Sequence, residues 1–322
     1  MASRPITLDV AVTDKSGAPV AGLQQQDFTL FDNKQPQKIT SFHAVEGKTA
    51  TADPPVKVIL LLDTVNGSFT NVAFMRTAVS KFLGRNGGQL AYPAAVSALT
   101  ESGTISEENL SRDGNALIAY LDRQEARLHV IRRSEGAYGD RERLELSLDA
   151  LRQFARHEAE TPGRKLLVWV SPGWPLLDDP GLEMTSKAEE WVFENIVSLS
   201  DALRWARITL YAVDPLGTGD AGRLRTSAYK AYLKGVKKAS QALPGNLALQ
   251  VLSNQSGGLV LNSSNDLEGQ IAKCVADASS FYVLTFDALP GDGPNEYHAL
   301  EVRIGKAGLT ARARSGYYAQ PR

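Results

Sequence analysis

Five short runs of almost entirely apolar residues constrain the fold of this 322-residue chain more than any other feature. A strand with one face in water alternates apolar and polar residues, whereas a continuous apolar run is typical of a strand that is covered on both faces. Between the runs, apolar residues recur at intervals of three and four, which predicts amphipathic helices. The strands are expected at 56–63, 90–99, 166–171, 208–214 and 258–262. This alternation predicts an α/β domain over 55–278, with a doubly wound, Rossmann-like parallel sheet.

Both ends of the chain have β patterns instead. Ile6, Leu8, Val10 and Val12 alternate with polar residues, which predicts a half-buried strand, and strand-like segments return from Ser279 onwards. Each end region is too small to form a stable pair of sheets by itself. We therefore expect 1–50 and 279–322 to form one discontinuous β-sandwich domain, with the α/β domain inserted between its two parts.

Composition and motifs argue against several classes of function. The formal net charge of −1 gives no support for nucleic-acid binding. The single cysteine, Cys274, is expected to be a buried apolar side chain, and the four histidines lack the spacing of a zinc site. No apolar run reaches the roughly 20 residues that span a bilayer. An enzyme that uses Asp63 for phosphoryl transfer or hydrolysis is disfavoured, because the chain has neither a phosphate-binding glycine loop nor a Gly-x-Ser-x-Gly elbow.

The candidate site lies at the carboxyl ends of the parallel strands, where open α/β sheets bind ligands. The residues expected at this binding edge are Asp63, Thr64, Asn66, Ser68, Ser171, Trp174 and Asp214. Their oxygen atoms suit a divalent cation such as Mg²⁺, although Asp63 could equally accept turn amides or cap the next helix. Trp174 could be exposed and anchor a protein partner, or it could pack into its own loop.

The order of these segments resembles the von Willebrand factor A domain and, more closely, the bacterial VWFA-related family of exported proteins. The resemblance covers nearly the whole chain and rests on segments in the family's order, among them "VILLLDTVN", "PGRKLLVWVSPGWP", "ITLYAVDPLG" and "SSFYVLTFD". It implies a periplasmic, cell-surface or secreted protein whose leader has been removed from this sequence. It also implies a function in binding rather than in catalysis.

Many A domains carry a metal-ion-dependent adhesion site that begins with Asp-x-Ser-x-Ser. Here the corresponding stretch, 63–67, reads Asp-Thr-Val-Asn-Gly, so valine and glycine replace both serines. Ser171 stands where the family pattern has an Asp. The resemblance therefore implies a degenerate site, in which Asp63 is the surviving ligand and Ser68 a second donor. We expect no cofactor, with Mg²⁺ or Mn²⁺ as the alternative.

The sequence thus predicts a non-catalytic protein-interaction or adhesion module that binds a protein partner through the strand-end loops of the A domain. The alternative is a structural or assembly subunit of an envelope or membrane-associated complex. Such a subunit would bind through the β domain or through a basic amphipathic helix predicted over 225–243. On that helix, Lys230, Lys234, Lys237 and Lys238 would share one face.

Overall fold

The computed structural model describes residues 5–46, 56–106, 109–125, 128, 136–175, 184–216, 228–262 and 264–321. The strands are β1 (Pro5–Thr13), β2 (Phe28–Asp32), β3 (Gln35–Gln37), β4 (Ile39–Glu46), β5 (Val56–Asp63), β6 (Gln89–Thr100), β7 (Gly103–Ser106), β8 (Ser111–Asp113), β9 (Arg164–Val170), β10 (Ile208–Val213), β11 (Val260–Leu261), β12 (Ser280–Asp287), β13 (Glu296–Ile304), β14 (Thr310–Arg312) and β15 (Gly316–Ala319). The α-helices are α1 (Phe69–Leu83), α2 (Gly114–Arg123), α3 (Gly136–Ala159), α4 (Ser186–Trp205), α5 (Leu249–Gln255) and α6 (Leu267–Ala276).

The central sheet has the order β11-β10-β9-β5-β6-β7, and β8 also pairs with β6. Strands β5, β6, β9, β10 and β11 are parallel, whereas β7 and β8 run antiparallel to β6. Numbered along the chain within this six-strand path, the order is 3-2-1-4-5-6, which is that of a doubly wound sheet. The predicted α/β class with a parallel sheet is confirmed. The strand order reverses between β5 and β9, and their carboxyl ends are therefore where such a sheet binds ligands.

Helices cover both faces of this sheet, which explains the continuous apolar runs. Along β5, Ile59 and Leu61 point into one core, whereas Leu60 and Leu62 point into the other. The first core is formed with α3, α4 and α5, and the second with α1, α2 and α6. Cys274 of α6 is fully buried in the second core, as predicted, and this burial raises the pKa of its thiol. Among the described helices, none is both long and apolar enough to cross a membrane.

Two antiparallel sheets combine strands from both ends of the chain. Their orders are β14-β1-β12-β4 and β15-β13-β2-β3. β1 pairs with β12 in a register that places Ile6 opposite Phe286 and Val10 opposite Tyr282. The two sheets share one hydrophobic core, in which Phe28 of β2 contacts Tyr282 of β12 with ring centroids 4.9 Å apart. This packing gives the ends of the chain the features of a β-sandwich.

A buried polar cluster connects the antiparallel strands to the central sheet. The Asp277 carboxylate accepts a hydrogen bond of 2.7 Å from the Tyr211 hydroxyl of β10. It also accepts two from Arg312 of β14, at 3.0 and 2.7 Å. Arg164 of β9 donates to the Asp277 carbonyl oxygen at 2.9 Å. Desolvation, with the neighbouring Asp277 charge, raises the pKa of Tyr211 well above its usual value. The cluster therefore joins strands of both systems through charge-assisted hydrogen bonds.

The basic helix predicted over 225–243 does not form in the described part of that range, 228–243. From Tyr229 onwards that part contains two short 3₁₀ turns, Tyr229–Tyr232 and Ala239–Gln241, and no α-helix. Between them Gly235 lies against the ring of Tyr297, where an added Cβ would be 2.1 Å from the nearest ring atom. Because this tertiary contact brings the backbone onto an aromatic ring, it overrides a pattern that favoured a helix. The lysines predicted on one helix face, Lys230, Lys234, Lys237 and Lys238, are exposed on an irregular segment instead.

Candidate functional site

Asp63 is the last residue of β5 and lies at the point where the strand order reverses. Its side chain is fully buried, at 0% exposure. An unpaired carboxylate would be very costly in such a position, so its partners decide what the site can do.

The protein itself supplies five hydrogen-bond donors to the Asp63 carboxylate. Oδ1 accepts from the backbone N–H groups of Val65 at 3.0 Å and Asn66 at 2.9 Å. Oδ2 accepts from Asn66 Nδ2 at 2.8 Å, from the Trp169 indole Nε1 at 3.0 Å and from Ser171 Oγ at 2.8 Å. A carboxylate offers about four lone-pair sites. The acceptor capacity of Asp63 is therefore fully used within the chain.

Asn66 extends this network from the strand end to helix α3. Its Nδ2 donates to Ser147 Oγ at 2.9 Å as well as to Asp63, and Ser147 Oγ donates to the Arg143 carbonyl at 2.8 Å. Sequence reasoning missed Ser147 and Trp169, because both lie within apolar patterns that give no sign of a polar role. The network holds the turn after β5 rigidly against β9 and α3.

Three other residues predicted at the binding edge stabilise local backbone. Thr64 is buried, and its hydroxyl donates to the Leu99 carbonyl of β6 at 2.8 Å. Asp214 is also buried, and its Oδ1 accepts from the Leu216 N–H at 2.9 Å. Ser68 is exposed and forms the N-cap of α1 by accepting from the Asn71 N–H at 3.3 Å. The predicted residues thus come together at one edge, although Ser68 caps a helix and does not bond to Asp63.

Of the two alternatives for Trp174, exposure to a partner or packing inside the protein, the structure shows the second. Its side chain is only 4% exposed and packs edge-on against Trp169, with ring centroids 5.0 Å apart. Trp169 lies in the carboxyl half of β9, and Trp174 of the following loop packs against its indole ring. Trp174 therefore supports the network around Asp63 from inside the protein. Residues 176–183 and 217–227, which belong to the two predicted strand-end loops, lie outside the described residues.

Two large aromatic side chains that sequence reasoning missed are exposed at this edge. Phe69, the first residue of α1, is 66% exposed, and Tyr138, near the start of α3, is 76% exposed. Only residues 160–163 join α3 to β9, so α3 runs antiparallel to that strand and its first turn points towards the strand-end edge. Tyr138 lies roughly 13 Å from Ser147 along the helix axis, at about 1.5 Å per residue. The edge therefore combines the buried hydrogen-bond network around Asp63 with the exposed aromatic side chains of Phe69 and Tyr138.

The described residues contain no group of three or more His, Cys, Asp or Glu side chains arranged to hold a metal ion. Oxygen donors do surround Asp63, but Ser171 directs its hydroxyl hydrogen at the carboxylate. Asn66 likewise directs its amide hydrogens at Asp63 and Ser147. The donor set around Asp63 is thus one that neutralises a carboxylate.

Comparison with known proteins identifies no family, since no family model and no curated protein matches the chain. Three solved structures are similar at low identity. The pilus adhesin SpaC from Lactobacillus rhamnosus GG is 11% identical, with a TM-score of 0.41, over 94% of this chain and 43% of that one. The D319A mutant of the PilB minor pilin from Streptococcus sanguinis is 13% identical, with a TM-score of 0.39, over 84% and 78%. The human COPII-coat protein Sec24c is 10% identical, with a TM-score of 0.37, over 83% and 44%.

The chain spans less than half the length of SpaC and of Sec24c. At these identities and TM-scores the three structures carry no inference about function. The fold and site by themselves define a mixed α/β protein with two antiparallel sheets and a hydrogen-bonded acidic residue at its strand-end edge.

Proposed function

We propose that this chain is a non-catalytic protein-interaction module that binds a protein partner at the strand-end edge of its central sheet. The observation that carries the proposal is the pair of exposed aromatic side chains, Phe69 and Tyr138, on the two helices that flank the rigid turn at Asn66. Large aromatic groups that project from a rigid base contribute most of the binding energy in many protein interfaces. The hydrogen-bonded turn would keep them in place before binding, which lowers the entropic cost of association.

We further propose that this binding needs no metal ion. Mg²⁺ takes oxygen ligands in near-octahedral geometry, so it would need a free lone pair on Asp63. The hydrogen atoms of Asn66, Trp169 and Ser171 already point at Asp63 Oδ2. A cation there would have to displace these donors, among them the buried Trp169 indole, which has no other oxygen partner among the described contacts. The same saturation supports a non-catalytic role, because a carboxylate held by five donors is a poor general base.

The resemblance to the bacterial VWFA-related family supports the finer form of the proposal. In that form the central domain is a von Willebrand A-type domain inserted in the β-sandwich, and the chain is an exported adhesion or assembly protein. The strand order 3-2-1-4-5-6 agrees with such a domain. The alternative, an assembly subunit, would bind through the β-sandwich or through the lysine-rich segment 228–243 instead of through Phe69 and Tyr138.

Site-specific photo-crosslinking tests where a partner binds. A photoreactive phenylalanine analogue would replace Phe69, Tyr138 or, as a matched control, Trp205, and each variant would be irradiated in the envelope fraction of the native cells. Trp205 is 59% exposed, but it ends α4 and therefore lies at the opposite edge of the sheet. We expect the same crosslinked protein from positions 69 and 138 and none from position 205. Crosslinks from position 205 alone, or none from 69 and 138, would show that the proposed surface is wrong.

A further inference from the structure

A small cavity lies on the opposite side of the molecule, where β1 meets the end of α4 and the start of β10. Its volume of about 20 Å³ has room for about one or two water-sized particles. Three arginines line it, namely Arg204, Arg207 and Arg314. The other polar residues around it are Thr7, Asp9, Thr209 and Ser256. Three guanidinium groups around so small a space need counter-charge or hydrogen-bond acceptors.

Among the described contacts, Arg207 is the one of the three arginines that binds a carboxylate through two hydrogen bonds. Its Nε and Nη2 donate to the two carboxylate oxygens of Asp9, at 3.3 and 2.5 Å. Arg207 can do this because it follows the C-cap of α4 with a left-handed backbone, at φ 52°, which directs its side chain towards β1. Asp9 is thereby occupied, and it offers little compensation to the other two arginines.

Arg204 and Arg314 are less well satisfied. Arg204 donates from Nη2 to Asp201 at 3.0 Å, but its Nε is buried with no hydrogen-bond partner among the described residues. Arg314, on the segment between β14 and β15, donates from Nη1 to the neutral carbonyl oxygen of Ser200 at 3.2 Å. Within the described part of the chain, no carboxylate lies at ion-pair distance from Arg314.

The charges around the cavity therefore do not balance. Three arginines face two carboxylates, Asp9 and Asp201, which leaves a local excess of positive charge. Desolvation, together with the nearby charge of Arg204, lowers the pKa of Arg314 to about 10. Arg314 is still cationic at neutral pH, and its one acceptor among the described contacts is a neutral carbonyl oxygen, so the cavity favours an acceptor that carries negative charge.

We propose that the cavity binds one small monatomic anion, chloride under ordinary conditions, between the buried Nε of Arg204 and the remaining N–H groups of the half-buried Arg314 side chain. A monatomic ion needs only the space of one or two water molecules, which this cavity provides. By binding both arginines, the anion would link the segment between β14 and β15, which carries Arg314, to the last turn of α4, which carries Arg204. The site is remote from Phe69 and Tyr138, so it stands or falls independently of the proposed binding function.

Crystals of the full chain grown in sodium bromide test the site directly. Bromide replaces chloride and is located by its anomalous scattering. We expect an anomalous peak inside the cavity, within hydrogen-bond distance of Arg204 and Arg314. Peaks confined to the outer surface, with a water molecule in the cavity, would overturn the proposal.

Thermal unfolding in solution tests whether the ion matters outside a crystal. A ligand that binds only the folded state raises the Tm as its concentration rises. When sodium chloride replaces sodium gluconate at constant ionic strength, we expect the Tm of the wild type to rise by about 2 °C or more. Arg314→Gln should lose this rise. Arg303→Gln should keep it, because Arg303 is exposed and its contacts among the described residues, with Glu301 and the Phe31 ring, do not belong to the cavity.

Equal chloride dependence in the wild type and in Arg314→Gln would contradict the proposal, as would a wild type that is insensitive to chloride. A bromide peak without any effect of chloride on the Tm would indicate an adventitious ion only. Because the bromide experiment uses the unmodified protein, the proposal stays testable even if Arg314→Gln does not fold.

Discussion

At the scale of single residues, the buried carboxylate of Asp63 and its five hydrogen-bond donors hold the turn after β5 in place. The apolar run before Asp63 predicts its place at the end of a buried strand. The sequence also shows that Val65 and Gly67 have no side-chain oxygen. Its donors cannot be seen in the sequence, because Trp169 lies in β9 and Ser171 directly after it, both more than 100 residues later. Thr64 and Asp214, which were predicted at the edge, are buried and stabilise local backbone inside the protein. A partner can reach only exposed groups, and Phe69, which is exposed there, was not predicted.

Asp63→Asn tests the structural role of this carboxylate. The asparagine side chain has nearly the same shape, but its NH₂ group would face donors instead of accepting from them. Because it also removes a charge that five donors stabilise, we expect the free energy of unfolding to fall by about 3 kcal/mol or more. Chemical denaturation measures this loss.

Asp113→Asn is the matched control for that measurement. Asp113 is an exposed N-cap of α2, and asparagine caps a helix about as well as aspartate does. We expect a change within about 0.5 kcal/mol. Equal losses in the two variants would mean that the Asp63 network contributes nothing specific.

At the scale of elements, strands were easier to predict than the irregular segments. β5 begins and ends where the apolar run does, and the other parallel strands differ from the prediction by up to two residues at each end. Helix α1 begins at Phe69 because the Ser68 side chain caps it. The lysine-rich segment misled the sequence reasoning, since its spacing of apolar residues is helical while its packing depends on Gly235 and a distant Tyr297.

Gly235→Ala tests whether this contact sets the conformation of the segment. A methyl group there would collide with the Tyr297 ring, so we expect a loss of about 1–3 kcal/mol in the free energy of unfolding. Gly293→Ala is the control, because no atom lies within 4 Å of its added Cβ. A loss in Gly293→Ala as large as that in Gly235→Ala would point to a general effect of replacing glycine.

At the scale of the whole molecule, pattern alone predicts that the ends of the chain pair, because neither end region can bury its own apolar face. The pairing of β1 with β12 follows from that requirement. The polar connection between the sheets does not, because Arg164, Tyr211, Asp277 and Arg312 lie on four separate elements or turns. These residues follow no periodic pattern in the sequence, so their contact cannot be predicted from it.

A double-mutant cycle measures this connection. Asp277→Asn and Arg312→Gln should each destabilise the protein, by about 3 kcal/mol for a broken buried ion pair. Because the two side chains contact each other directly, we expect the double variant to lose less than the sum, with a coupling energy of at least about 1 kcal/mol. Strict additivity in denaturation experiments would mean that Arg312 and Asp277 do not stabilise one another.

The most direct test of metal-independent binding at the strand-end edge is the crosslinking yield from position 69, measured in EDTA and in excess Mg²⁺ or Mn²⁺. Because the Asp63 carboxylate is saturated by Val65, Asn66, Trp169 and Ser171, we predict the same crosslinked partner and the same yield in all three conditions. A crosslink that EDTA abolishes and Mg²⁺ or Mn²⁺ restores would contradict this prediction.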